Sequence, residues 1–153
     1  MARLEPGQKA PDFTLPSDSG EEISLTSLKG TPVVVYFYPK AMTSGCTVQA
    51  CDYRDRLRDF AHLGAHVLAV SPDPVARLAK FRDKEGLTFP LLSDESHAVL
   101  EAYGVWVEKS MYGKKYMGVE RSTFVIDATG TIVHADYKVK SSGDAERVLA
   151  LLK

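Results

Sequence analysis

Two runs of apolar residues have the composition of strands that are buried on both faces. The first, TPVVVYFYP, covers residues 31–39 and ends at Pro39. The second, AHVLAVSPD, covers residues 65–73. The first contains a continuous run of β-branched and aromatic residues at 33–38, and both have the pattern typical of parallel strands in an α/β sheet rather than of strands with one exposed face.

The segment between these strands has the spacing of a helix. Apolar residues recur there at intervals of three and four, and most of the charged residues fall on the other faces. The pattern predicts one helix over residues 44–63, with Thr43 or Ser44 as its N-cap. Its apolar stripe comprises Ala50, Tyr53, Leu57 and Phe60. Strand, helix and strand together make a β-α-β unit.

The rest of the chain predicts shorter elements. Helices are predicted for PVARLAKFRDKEG, from Pro74 to Gly86, for SHAVLEAYGV, capped by Ser96, and for the C-terminal DAERVLALLK. RSTFVIDATGTIVHADYK predicts a hairpin around Asp127–Gly130, and a DSG turn near the N-terminus separates two short extended pieces. LTFPLLSD predicts a short strand or loop, and KSMYGKKYMGVE, residues 109–120, is polar enough to predict a loop.

The order of these elements predicts an α/β fold. Alternating strands and helices, then a hairpin and a final helix, indicate a mixed central β-sheet flanked by helices, with an N-terminal β-hairpin. We find no repeat, linker or low-complexity segment, so we expect a single domain over residues 1–153.

Charge and targeting signals narrow the function classes. The formal net charge is −1, so there is no global basic field to attract nucleic acid or an anionic membrane. The N-terminal segment lacks the apolar stretch of a signal peptide, and the longest apolar run, residues 33–38, is too short to span a bilayer. We therefore expect a cytoplasmic protein, in which two cysteines suggest redox chemistry, catalysis, metal binding or burial rather than a structural disulfide.

Cys46 and Cys51 lie five positions apart within the predicted helix. That spacing puts helical Cα atoms roughly 8 to 9 Å apart, whereas a disulfide usually needs about 4.4 to 6.8 Å. A bond between them would require the first turns of the helix to unwind, which is feasible near a helix end. In the first turn, free N–H groups and the helix dipole favour a reactive thiolate at Cys46. Spacing alone does not separate a redox pair from two buried packing residues.

The residues around Cys46 resemble the active-site pattern of the peroxiredoxins. Pro39, Thr43 and Cys46 match Pro-x-x-x-Thr-x-x-Cys, and YPKAMTSGCTVQAC is similar to the PrxQ, or bacterioferritin comigratory protein, branch. The resemblance extends through GQKAPDFTLP, SPD, FPLLSD, YGVW and RSTFVID, which is nearly the whole chain. Ser44 stands where many members have Pro, and we expect this difference to change the stiffness of the loop rather than the chemistry.

The resemblance implies a thioredoxin-like fold, a domain of the AhpC/TSA type and a role for each matching residue. Cys46 would attack the terminal peroxide oxygen and become a sulfenic acid. The other implied roles are these: Thr43 holds the thiolate and the peroxide, Arg121 stabilises negative charge, Pro39 shields the sulfur, and Gly45 and Cys46 supply N–H donors. From the sequence itself Arg121 is not distinguished from Lys40, Arg54 and Arg58, and an arginine at a strand start is usually a surface charge.

The resemblance also implies the cycle. Cys51 would condense with the sulfenic acid to give an intramolecular Cys46–Cys51 disulfide, which a dithiol donor such as thioredoxin would reduce. The expected enzyme is an antioxidant thiol peroxidase acting on hydrogen peroxide and organic hydroperoxides. The resemblance implies no metal, flavin, haem or other cofactor, and the family tendency is monomeric.

Other functions fit less of the sequence. A thioredoxin-like reductase would have Cys-x-x-Cys, but four residues separate these cysteines. A metal site or a Cys–His acyl-transfer enzyme would need histidine partners, yet the four histidines, His62, His66, His97 and His134, are isolated or straddle Gly64. A binding or chaperone module with inert thiols stays open. Lys114 and Lys115, and the acids Asp52, Asp55 and Asp59, fit solvated surface.

Overall fold

A mixed β-sheet flanked by helices dominates the computed structural model of the chain, which describes residues 3–153. The first two residues of the predicted 1–153 domain lie outside the described residues. The strands are β1 (Thr14–Pro16), β2 (Glu22–Ser24), β3 (Val33–Phe37), β4 (His66–Ser71), β5 (Leu91–Ser93), β6 (Trp106–Met111), β7 (Lys114–Val119), β8 (Ser122–Ile126) and β9 (Ile132–Tyr137). The helices are α1 (Ser44–Asp55), α2 (Leu57–His62), α3 (Val75–Glu85), α4 (Ala98–Ala102) and α5 (Asp144–Leu152), with a 3-10 turn at Leu25–Leu28.

The strand β3 lies in the middle of the main sheet, whose order is β5-β4-β3-β8-β9. The pairs β3–β4 and β4–β5 are parallel, and β3–β8 and β8–β9 are antiparallel. Every residue of β3 is buried, as a continuous apolar run predicts for a central strand. The mixed sheet confirms the predicted fold class, and β1 with β2 forms the predicted N-terminal hairpin.

The sheet separates two apolar clusters, because successive residues of a strand point to opposite faces. Val34 and Tyr36 of β3 pack on the face covered by α1, α3 and α5, and Phe37 packs on the other. Cys46 and Tyr53 belong to the first cluster. The apolar stripe of α1 therefore holds this helix, and the cysteine on its buried face, against the centre of the sheet.

The single helix predicted over residues 44–63 is wrong at its middle. Arg56 separates α1 from α2 with φ −108° and ψ 6°. In a continuous helix its N–H would donate to the Asp52 carbonyl, four residues earlier, but it donates instead to the Tyr53 carbonyl at 3.2 Å. The Asp52 carbonyl lies 3.5 Å from the Arg56 guanidinium. The break leaves α1 as a separate helix of twelve residues that contains both cysteines.

The prediction of a loop over residues 109–120 is also wrong, because β6 and β7 form an antiparallel hairpin with six residue pairs. Most of its side chains are exposed, so its composition resembles that of a loop. Tyr112 and Gly113 form the turn with φ of 52° and 77°, the positive values that a tight hairpin turn requires.

The remaining predicted elements are confirmed with small shifts. The helix α3 follows Pro74 and ends at Gly86, whose φ of 64° closes it. Ser96 lies one residue before the N-cap position of α4, although its hydroxyl still accepts the Ala98 N–H at 3.4 Å. No helix within residues 3–153 has the length and apolar character needed to cross a membrane.

Candidate active site

Cys46 lies in the first turn of α1, after the loop that leaves the C-terminal end of β3. Thr43 is the N-cap residue, with φ −84° and ψ 159°, and its carbonyl accepts the Thr47 N–H at 2.9 Å. The N–H groups of Gly45 and Cys46 precede this first helical bond, so they form part of the positive helix end. Cys46 is only 1% exposed. Its sulfur is therefore buried where the backbone favours negative charge.

Arg121 brings a guanidinium to the same sulfur. Its Nη2 donates to Cys46 Sγ at 3.3 Å, and its Nη1 donates to Gln49 Oε1. The sheet explains the approach, because β8 pairs Ser122 with Phe37 at the end of β3 and so delivers the preceding residue to the edge where α1 begins. The other cations weighed from the sequence lie elsewhere: Arg54 bonds Asp55 and the Glu85 carbonyl, and Lys40 and Arg58 are exposed.

Gly45 leaves the room that this guanidinium needs. A Cβ on Gly45 would lie 3.3 Å from Arg121 Nη2 and 3.6 Å from Ser141 Oγ. Such a contact is tighter than most that real Cβ atoms make, so a side chain here would press the guanidinium away from Cys46. Gly45 thus has a steric function beside the N–H role that the resemblance implies.

Thr43 and Pro39 adjoin the site with contacts that the motif did not reveal. The Thr43 hydroxyl donates to the Lys40 carbonyl at 2.8 Å, and not to Cys46. Because a hydroxyl has one proton, the Thr43 oxygen keeps only its lone pairs for an incoming group. Pro39 is half-buried at the start of the same loop.

The loop between β3 and α1 is fastened to the segment that follows β4. Asp73 Oδ2 accepts the Ala41 N–H at 2.8 Å, and the Arg77 guanidinium donates to the Ala41 carbonyl at 2.9 Å. Asp73 is itself buried and accepts the Ser71 hydroxyl at 2.8 Å. Both backbone groups of Ala41 are therefore bonded, which fixes the path of the chain into the helix N-terminus.

Gln49 is a site residue that the sequence analysis missed. It is fully buried, one turn after Cys46 on the same face of α1. Its Oε1 accepts from Arg121 and its Nε2 donates to Asp144 Oδ2 at 3.2 Å. A polar residue on an apolar helix face between Cys46 and Tyr53 was the available signal, because such a side chain needs a buried partner.

Cys51 faces a different neighbour. Its Sγ donates to Glu85 Oε1, at the end of α3, at 3.6 Å. Burial raises the pKa of Cys51; Arg54 opposes that effect, and the Glu85 carboxylate adds to it. Both cysteines are free thiols within one continuous helix, so a disulfide between them requires α1 to open.

We expect Glu85→Gln to make Cys51 react with iodoacetamide at lower pH. The carboxylate favours the protonated thiol through its charge and its hydrogen bond, both of which raise the pKa of Cys51, so its replacement by a neutral amide lowers that pKa. In a Cys46→Ser background, the alkylated fraction across a pH series, measured by intact mass, reports Cys51 alone.

Asp83→Asn is the matched control for this experiment. Asp83 lies on the same helix but pairs with Arg82 at 3.0 Å, so its loss should leave the Cys51 profile unchanged. Superimposable profiles for Glu85→Gln and its parent would show that Glu85 does not govern the protonation of Cys51.

The histidines do not assemble a metal or acyl-transfer site around either cysteine. Within residues 3–153 no group of three or more His, Cys, Asp or Glu side chains is arranged to hold a metal ion. His97 stacks on Trp106 with 3.9 Å between ring centroids, and His62 and His66 are exposed. The arrangement can thus supply a buried thiol, one guanidinium and backbone N–H groups, which suits attack by sulfur on a small electrophile.

Known proteins similar to this chain are peroxiredoxins. The AhpC/TSA family model matches residues 6–135. Peroxiredoxin Bcp of Escherichia coli is 49% identical over 153 residues, covering 100% of this chain and 98% of that protein. Peroxiredoxin Bcp of Bacillus subtilis is 47% identical over 150 residues, covering 98% and 96%.

A solved structure agrees with these sequence relatives. The bacterioferritin comigratory protein of Xanthomonas campestris, which has alkyl peroxide reduction activity, matches with a TM-score of 0.88 and 41% identity. The match covers 92% of this chain and 89% of that chain.

Proposed function

The chain belongs to the AhpC/TSA family and is a peroxiredoxin, a thiol-dependent peroxidase, and from this premise we propose that Cys46 reacts with the peroxide and Cys51 resolves the product. The 3.3 Å contact between Arg121 Nη2 and Cys46 Sγ supports the first assignment most directly. A guanidinium beside a buried sulfur at a helix N-terminus stabilises negative charge at the place where a nucleophilic sulfur needs it.

In the first step, the Cys46 thiolate attacks the terminal oxygen of a hydroperoxide. The S–O bond forms as the O–O bond breaks, the sulfur is oxidised by two electrons to a sulfenic acid, and the departing oxygen takes a proton to leave as alcohol or water. Arg121 and the N–H groups of Gly45 and Cys46 stabilise the charge that moves onto the oxygens. The Thr43 oxygen accepts the peroxide O–H, and Pro39 limits access of water.

In the second step, Cys51 leaves Glu85 and attacks the sulfenic sulfur. Water departs and an intramolecular disulfide forms, which needs no second subunit. The helix α1 must unwind for this step, and its end at Asp55 confines the unwinding to one short helix. A thioredoxin-type dithiol then restores both thiols. We assign this cycle to a cytoplasmic monomer acting on hydrogen peroxide and alkyl hydroperoxides, the second of which is the substrate class of the Xanthomonas relative.

Peroxide consumption coupled to thioredoxin tests the substrate class and the electron donor together. Turnover is expected with hydrogen peroxide and with an alkyl hydroperoxide. After one equivalent of peroxide, the intact mass should fall by about two units in the wild type, and Cys51→Ser should instead gain one oxygen. A wild-type protein that consumes peroxide and keeps two free thiols would rule out the proposed disulfide.

We expect Ser44→Pro to slow closure of the disulfide. Ser44 is the first residue of α1, where proline is favoured, and Thr43 before it already has the extended backbone that proline requires, with φ −84° and ψ 159°. Proline should stabilise the folded helix by about 0.4 to 1 kcal/mol, which corresponds to a two- to fivefold slower closure if unwinding comes first. Rapid quenching followed by intact mass measures the rate.

Ser44→Ala keeps an unrestricted backbone and is the control, with closure expected at the wild-type rate. Amide exchange over residues 44–55 should rise on oxidation in the wild type and the control. A proline variant with a stabilised helix and an unchanged rate would show that closure does not depend on unwinding at Ser44.

A further inference from the structure

The carboxylate of Asp144 accepts four side-chain hydrogen bonds next to the site. It is the first residue of α5, and its side chain is fully buried. Its Oδ2 accepts from Gln49 Nε2 at 3.2 Å, from the Tyr53 hydroxyl at 2.8 Å and from the Thr123 hydroxyl at 2.7 Å. Its Oδ1 accepts from Arg147 Nη2 at 2.7 Å. A buried carboxylate is costly unless its lone pairs are used, and these four donors from α1, β8 and α5 use them.

The carboxylate determines which way the Gln49 amide points. A carboxylate only accepts hydrogen bonds, so it selects the NH₂ side of the amide and turns Oε1 towards Arg121. In the flipped orientation the amide oxygen would face Asp144 and the amide N–H groups would face the guanidinium N–H groups, so both contacts would be repulsive. Gln49 is fully buried, and water cannot compensate.

The orientation of Gln49 in turn holds Arg121. Its guanidinium is planar, so fixing Nη1 on Gln49 Oε1 directs Nη2 at Cys46 Sγ, 3.3 Å away. Lys109 shows that another cation is close, because burial and the charge of Arg121 both lower the pKa of its amine. The bond to Gln49 holds the guanidinium at the sulfur in the presence of this second cation.

We propose that Asp144 is a positioning residue for the peroxide step, acting through Gln49 on the guanidinium of Arg121. The proposal rests on the roles proposed above for Cys46 and Arg121. A donor that is already oriented needs no rearrangement as negative charge moves onto the peroxide oxygens, and small misplacements of such groups are costly in rate.

Exchanging the amide at position 49 and the carboxylate at position 144 tests this relay, by which we mean the chain of hydrogen bonds from Asp144 through Gln49 to Arg121. In Asp144→Asn an NH₂ replaces one of the two acceptor oxygens, so the side chain no longer selects one orientation of Gln49; where that NH₂ faces Gln49, the Gln49 amide flips and turns its own NH₂ to Arg121. Gln49→Glu places two carboxylates face to face. In the double variant, the amide introduced at position 144 donates to the carboxylate introduced at position 49, whose other oxygen again accepts from Arg121, so the original polarity returns.

The measured quantity is the second-order rate constant for oxidation of Cys46, from rapid quenching and intact mass. We expect it to fall about tenfold in each single variant and to recover to within about threefold of wild type in the double variant. Disulfide closure should not slow, because the bonds from Gln49 and Tyr53 to Asp144 hold α1 folded and their weakening can only ease its opening. Asp136→Asn is the control: Asp136 binds Arg147 at 2.8 Å from the exposed side and does not contact Gln49, so its rate constant should stay near wild type.

An Asp144→Asn rate constant near wild type, or a double variant no faster than the slower single variant, would overturn the proposal. If thermal unfolding shows that Asp144→Asn does not fold, Gln49→Met takes its place, because methionine makes neither hydrogen bond of the Gln49 amide. An unchanged rate constant for Gln49→Met would overturn the proposal equally. Failure of the wild type itself to react with peroxide would instead reject the assigned function of Cys46.

Discussion

Cys46→Ser is expected to abolish peroxide turnover, by more than about 10⁴-fold, because a serine hydroxyl is a poor nucleophile towards oxygen and cannot carry the sulfenic state. The substitution removes one sulfur and is close to isosteric, so α1 and its contacts with β3 should persist. Thioredoxin-coupled peroxide consumption measures the loss, and thermal unfolding checks the fold.

Cys51→Ser separates attack from resolution. It keeps Cys46, Arg121 and the first turn of α1, so one equivalent of peroxide should be consumed at the wild-type rate, after which turnover with thioredoxin should stall. Sustained thioredoxin-dependent turnover by Cys46→Ser would show that another group reacts with peroxide. If Cys51→Ser failed to consume the first equivalent of peroxide, as Cys46→Ser is expected to fail, the two cysteines would have to act together in the attack.

The parts of the site predictable from the sequence are those determined by local chain geometry. Cys46 could be placed because a buried strand, a loop and an N-cap at Thr43 lie within a few residues of one another. Helical angles likewise turn Cys51 about 140° away from Cys46, because five residues separate the two cysteines. Arg121 could not be derived from spacing, since 75 residues separate it from Cys46 and only the β3–β8 register brings them together.

The remaining differences have physical causes beyond local pattern. The apolar stripe continues past Arg56, but the backbone there leaves helical geometry and the Arg56 N–H bonds the Tyr53 carbonyl instead of Asp52, a local change that periodicity does not report. The hairpin of β6 and β7 is exposed over most of its surface, so burial leaves no alternating pattern to detect. Gln49 and Asp144 are partners only in the folded chain, 95 residues apart.

The positions of the two thiols agree with the order of steps proposed above. Cys46 belongs to the apolar cluster that fixes α1 on the sheet and accepts a hydrogen bond from Arg121, whereas Cys51 lies half-buried against Glu85 on the far side of the helix. In the proposed cycle the folded helix favours attack by Cys46, and only its opening lets Cys51 take part. Contacts that steady α1 therefore assist the first step and oppose the second.

The second large effect is expected for Arg121→Lys, which should lower the rate constant for Cys46 oxidation about 10²-fold. The guanidinium donates to Cys46 Sγ and to Gln49 Oε1 from two nitrogens of one rigid plane. A lysine ammonium keeps the charge but cannot maintain both geometries, and a lysine that reaches the sulfur leaves the buried Gln49 oxygen without its donor. Arg58→Met removes an exposed arginine of α2 and should change nothing.

Two rate constants show which part of the reaction Arg121 serves. Iodoacetamide reports only the availability of the Cys46 thiolate, whereas peroxide also develops charge on its oxygens, so both rates are measured on Cys51→Ser backgrounds. If Arg121 acts on thiolate and oxygens together, Arg121→Lys should slow the peroxide reaction more than alkylation. Equal slowing of both would confine Arg121 to the thiolate. A peroxide rate constant within about threefold of the parent would show that the peroxide step needs only a cation at position 121 and not the two-nitrogen geometry of the guanidinium.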